Sequence, residues 1–158
     1  MTILRNLHEY LYAGIFRVYA PGAEAFLRLG EPAPTLDTFL DMKGATSFCF
    51  VSFNPIPEPH FRLTPESEAQ YLAGLQERHF DLIMEVSKQG WAYQLAGFEP
   101  NSGGAAGILC LLLLDVPTSD LRTFMLAAEL EWCIVGRKGT IAILEMNGTS
   151  GATDEFIT

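Results

Sequence analysis

The stretch TSFCFVSFNPIPE, Thr46 to Glu58, decides how the chain is read. From Ser47 to Phe53 it is aromatic and aliphatic with little polar alternation, which predicts a strand covered on both faces and central in its sheet. Asn54-Pro55 stops the strand, and Pro55, Pro57 and Pro59 make its exit extended and stiff. Asn54 is thus the first polar side chain delivered at the end of a rigid strand, well placed for a pocket rim. The simpler reading is a turn-starting Asn-Pro whose amide satisfies nearby backbone.

Upstream, Ile3, Leu4, Leu7, Tyr10 and Leu11 recur at helical spacing and predict an opening amphipathic helix. Tyr12 to Tyr19 and Ala25 to Leu29, with the turn Pro21-Gly22 between them, predict a β-hairpin with Arg17 and Arg28 on its exposed face. Thr35 is expected to cap a short helix through Leu36, Phe39, Leu40 and Met42 that ends at Gly44.

Downstream, Thr64-Pro65-Glu66 has the chemistry of a helix start: a capping hydroxyl, a proline in the first turn and a carboxylate at the positive end of the dipole. That helix is expected to reach about Arg78, burying Ala69, Leu72 and Leu75. Leu82 to Val86 and Trp91 to Phe98 read as strands, and NSGGAAG, Asn101 to Gly107, as a flexible connection. Ile108 to Leu114 is a second fully apolar strand. A helix capped by Ser119 or Asp120 follows, with Leu121, Phe124, Met125, Ala128 and Trp132 on one face, and then a closing hairpin of Cys133 to Val135 with Thr140 to Glu145. The expected architecture is one α+β domain over residues 1–146, a mixed and largely antiparallel sheet of about six or seven strands with helices packed over it. The polar tail, 147–158, is expected to be flexible.

Composition narrows the function classes. The chain has 158 residues, 49% hydrophobic and 18% charged, enough for a self-sufficient core and too apolar for general disorder. Its 19 acidic against 10 basic residues give a net charge of -9, with the basic ones scattered. A phosphate backbone or an anionic membrane would be repelled, so a protein partner or self-association, including a homodimer, is favoured. Cys49, Cys110 and Cys133 each sit among apolar neighbours, as packed thiols do, which fits a reducing cytoplasm. The longest apolar run, Ala105 to Leu114, is half a membrane span.

Chemistry-bearing residues are few. His60 with Glu66 and Glu68 could form a histidine-carboxylate set for proton transfer, against a solvated loop histidine beside carboxylates that favour a helix start. Without HExxH, CxxC or an acidic calcium loop, no metal site and no cofactor are expected. Gly103-Gly104 lacks the ending of a phosphate loop and precedes a strand rather than a helix. Glu99, Glu129 and Glu131 stand where a specific partner such as Arg17, Arg62 or Arg137 would explain them. The candidate ligand-binding residues are Asn54, His60, Glu68 and Glu99, with no catalytic residue assigned.

With Phe53-Asn54-Pro55, the Thr64 helix, Phe98-Glu99-Pro100 and the apolar strand-helix-hairpin ending in order, the chain resembles domain-of-unknown-function family 3293, small bacterial proteins. The resemblance covers roughly Leu7 to Met146. It departs at Glu68, where the family tends to carry Asn, at NSGGAAG before Ile108, and at Glu131-Trp132-Cys133, where the family favours Gln and a small residue. The resemblance implies no activity. Two expectations follow from the residues: a non-catalytic binding or protein-interaction domain, or alternatively a small hydrolase-like enzyme with a polar site at the end of the central strand.

Overall fold

The computed structural model describes residues 2–57, 64–100 and 107–146. His60, Arg62, most of NSGGAAG and the tail from Asn147 lie outside them. The elements are α1 (Thr2–Tyr12), β1 (Gly14–Ala20), β2 (Ala23–Leu27), α2 (Pro34–Lys43), β3 (Ser47–Val51), α3 (Glu68–Gln89), β4 (Ala92–Pro100), β5 (Ile108–Leu114), α4 (Thr118–Ala127), β6 (Trp132–Arg137) and β7 (Ile143–Met146). The strands form one curled seven-stranded sheet in the order β2-β1-β4-β5-β3-β6-β7, and every pairing is antiparallel. The fold is α+β, as the pattern predicts.

The missing alternation in Ser47 to Phe53 has a direct cause. Successive side chains of a strand point to opposite faces. Phe48 and Phe50 enter a core with Leu11, Phe16, Leu40, Phe98 and Ile134, which α1 and α2 cover. Cys49 and Val51 enter a second core with Leu82, Val86, Leu111, Phe124 and Cys133, which α3 and α4 cover. β3 therefore has no polar face to display. The same holds for β5, where Cys110 and Leu112 go to the first core and Leu111 and Leu113 to the second.

Several local expectations are corrected. Leu82 to Val86 is not a strand but lies in the second half of α3, because Leu75, Leu82 and Val86 fall at helical spacing and together seal the helix onto the sheet. Leu72 and Ala69, expected to be buried, are exposed. Thr35 does not cap α2; its hydroxyl accepts a hydrogen bond from the Phe26 N–H at 3.1 Å, and the helix opens on Pro34 instead. Neither Ser119 nor Asp120 caps α4, which begins after Pro117 without a side-chain cap. Thr64-Pro65-Glu66 does not open α3, which begins at Glu68 after Ser67; the Thr64 hydroxyl instead accepts from the Ser67 N–H in the turn that precedes the helix.

The far hairpin is fastened to α2. Lys138 pairs with Asp41, and the Gly139 N–H donates to the Asp37 carboxylate at 3.0 Å. Between β6 and β3, Gly136 lies under the Phe48 ring, and a Cβ there would sit 2.6 Å from it. Asp115, at the end of β5, accepts from the Thr46 and Ser47 N–H groups at 2.9 Å each, and these bonds hold its pKa below the ordinary carboxylate value.

Candidate functional site

Two places on this fold collect exposed chemistry: a cleft at the exit of β3, and the half of the sheet that no helix covers. The cleft has a volume of about 590 Å³ and is lined by Asn54, Ile56, Arg78, Asp81, Glu129 and Trp132 among others. Asn54 reaches it as the sequence suggests, but its amide is occupied. Its Nδ2 donates to the Leu75 carbonyl of α3 at 3.0 Å, and its Oδ1 accepts from the Leu109 N–H of β5 at 2.6 Å. The Asn54 N–H donates to Ser52 Oγ. The side chain is 4% exposed, so Asn54 ties α3 to the sheet with both ends of its amide.

The cleft rim carries Arg78 and Asp81 from α3 and Glu129 and Glu131 from the turn after α4. Glu129 adopts φ 56°. The Glu129 N–H donates to the Leu126 carbonyl and the Leu130 N–H to the Met125 carbonyl, a Schellman closure of α4. Gly44 closes α2 in the same way, at φ 70°, with the residue type the conformation favours. Glutamate is thus held in the left-handed region by its helix end.

Glu99 and Glu68 lie elsewhere. Glu99 is exposed near the end of β4, and Arg17 Nε of β1 donates to its Oε2 at 3.1 Å, so one of its expected partners is the actual one. Glu68 is exposed at the first residue of α3. His60 falls outside the described residues. Asn54, Glu68 and Glu99 share one end of the sheet, and no hydrogen bond among the described residues joins them. Among the described residues there is no group of three or more His, Cys, Asp or Glu side chains that could hold a metal ion.

The second place was not singled out from sequence. α3 lies over β5, and the flank of α3 bearing Arg78, Asp81 and Glu85 lines clefts shared with α4 or the turn after it. Its opposite flank, with Leu72 and His79, therefore looks across β4, and Phe80 stands further round toward solvent. Among the described residues no helix lies over β4, β1 and β2 on that side. The pleat points Tyr93, Leu95 and Glu99 of β4 and Ile15, Arg17 and Tyr19 of β1 outward there, with Phe26 of β2 opposite Arg17 and the exposed Glu24 opposite Tyr19.

Tyr19, Leu72, Met84, Tyr93 and Leu95 are 37% to 48% exposed, and Phe80 is 60% exposed. Tyr19 lies across Gly97, where a Cβ would meet its hydroxyl at 2.3 Å. Its partial burial, and next the Glu99 carboxylate beside it, raise its pKa above the ordinary tyrosine value. On the same flank, His79 buries its Nδ1 without a hydrogen-bond partner among the described residues, and burial lowers its pKa. The signal in the sequence was the row Leu72, Gln76, Phe80, Met84, an i+4 line beside the buried stripe that makes α3 too apolar for one contact.

No family model, no curated protein and no solved structure matches this chain.

Proposed function

We propose that this chain is a non-catalytic protein-interaction domain that docks a protein on the bare half of its sheet. The observation that carries the reading is the exposure of Leu95, Tyr93 and Tyr19 on one face of β1 and β4, with Leu72 and Phe80 exposed on the neighbouring α3. Exposed apolar area of this kind, with aromatic residues and few charges, marks contact surfaces rather than solvated ones. The net charge of -9 favours a protein over nucleic acid as the occupant. Three buried free thiols, Cys49, Cys110 and Cys133, support a reducing, cytoplasmic setting. Burial pushes the Cys49 and Cys110 pKa values up, which suits packing and not nucleophilic work.

The hydrolase-like alternative has less to stand on, because Asn54 spends its amide on backbone and Glu99 is paired on the outer face. Among the described residues no helix is long and apolar enough to cross a membrane. The resemblance to domain-of-unknown-function family 3293, if shared ancestry underlies it, would extend the same reading to those bacterial proteins.

A photoactivatable cross-linker placed at Leu95 in cells expressing the chain tests the reading, with Met42, exposed on α2, as control position. The expected outcome is a discrete protein adduct from Leu95 that disappears with Phe80→Asp and never forms from Met42. Equal labelling from both positions, or none from Leu95, would sink it.

A further inference from the structure

We infer that the occupant of the bare sheet half is a second copy of this chain, packed face to face about a two-fold axis; this rests on the interaction reading above. Charge decides between candidate partners. A basic partner needs a strongly acidic contact surface, but on this face Arg17 pairs with Glu99, at 36% and 50% side-chain accessibility, which leaves Glu24 as the one unbalanced carboxylate among the described residues beside Tyr19, Tyr93 and Leu95. Two copies each carrying -9 repel wherever acidic surface meets acidic surface. A largely apolar face with so little net charge is where they can approach.

The face is also self-complementary. A two-fold contact sets the same patch against itself, so each residue that meets another is met by it in return. With a cation on β1 and an anion on β4, such a rotation can bring Arg17 of one copy to Glu99 of the other twice over, while the aromatic residues close between them. Lateral growth of the sheet at β2 is blocked instead. The outward N–H of Phe26 is taken by Thr35, whose hydroxyl also reaches the Phe26 carbonyl, and α2 packs along that strand. Beside the bare half, association is thus left to the face rather than to the β2 edge.

Sedimentation of the purified chain over a wide concentration series is the test. The expected result is a monomer-dimer equilibrium that Leu95→Lys with Phe80→Asp weakens by about 30-fold or more, the effect of losing central hot-spot residues, with an unchanged melting temperature. Charge reversal adds a readout that a folding defect cannot imitate. Arg17→Glu and Glu99→Arg should each lower dimer content alone, and mixing the two variants should restore it as a heterodimer, because each then offers the charge the other needs. A wild-type chain that stays monomeric throughout, or a dimer indifferent to Leu95→Lys with Phe80→Asp, overturns the inference. A monomer that still gives the Leu95 adduct with a different protein ends self-association and leaves the interaction reading standing, whereas loss of the adduct as well ends both.

Discussion

Leu95 and Leu111 stand directly opposite one another on β4 and β5, on the same face of the same sheet, yet Leu95 is 43% exposed and Leu111 fully buried. The boundary of helix cover runs between them. On the Leu111 side, α3 and α4 lay Leu82, Val86, Leu121 and Phe124 over β5, β3 and β6. On the Leu95 side the sheet continues for three more strands, β4, β1 and β2, and among the described residues only the flank of α3 stands beside it. One half of the face was built as core, the other with core-like residues left in contact with water. Stability needs only the first half, so the second is free to serve association.

The sharpest way to break this comparison is to truncate the two leucines separately. Leu111→Ala removes a fully enclosed side chain from between two helices and should cost about 3 kcal/mol of folding stability. Leu95→Ala should stay within about 0.5 kcal/mol when measured on the dilute chain. Urea denaturation of both variants reads the difference, and equal losses would mean that the two halves are not distinct.

That boundary marks the limit of what the residues disclosed in advance. The strands β3 and β5 were readable because burial on both faces removes alternation, and Ile108 to Leu114 has no other explanation of its length. The hairpin β1–β2 announced itself through Pro21-Gly22. The run Leu82 to Val86 misled because a short apolar segment has the same composition in a strand and in a helix; only its register with Leu75, seven residues earlier, separates them. Leu72 was expected to be buried because an apolar residue on a helix normally faces the core. What decides its exposure is that α3 and α4 cover only part of their face of a seven-stranded sheet, and no local pattern encodes that. Asn54 was legible as a strand-end polar group, and its simpler reading, a side chain satisfying backbone, came close: the backbone it satisfies is not local but 21 and 55 residues further along the chain.

The covered half depends on Asn54 to hold α3 down. Asn54→Ala leaves the Leu109 N–H and the Leu75 carbonyl without their partner in a buried place, at a cost of about 2 kcal/mol. Asn54→Asp should cost at least as much, because a carboxylate can accept from Leu109 but cannot donate to Leu75. Neither variant should alter dimer content at concentrations where the chain is folded. If Asn54→Ala removed partner binding while leaving the melting temperature in place, Asn54 would belong to a site and not to the clamp.

His79 sits on the α3 flank at the boundary itself, and its titration sharpens how dry that boundary is. Burial holds its pKa below the ordinary 6.5, so in acid the unfolded chain takes up a proton that the folded chain resists. The contribution is intact above that ordinary value and is lost as pH falls through it. Urea midpoints measured from neutral to mildly acid pH should decline, and His79→Leu should flatten part of that decline and gain about 1 kcal/mol by removing a buried ring nitrogen that lacks a partner among the described residues. An unchanged slope in the variant would place His79 in water and move the boundary of cover inward.

The smallest effect belongs to the Arg17–Glu99 pair, and its smallness is informative. Both side chains reach solvent, so within a single chain the pair should be worth less than about 1 kcal/mol in a double-mutant cycle, and less again in high salt. Removing either partner also leaves no charge buried, since neither group has been desolvated. The same cycle repeated at concentrations where two copies associate should return a larger coupling energy, because contact with Tyr19, Tyr93 and Leu95 of a second face excludes the water that screens the pair. A coupling that is identical in dilute and concentrated solution would show that the pair never leaves solvent, and the bare half would then be an ordinary wet surface despite its composition.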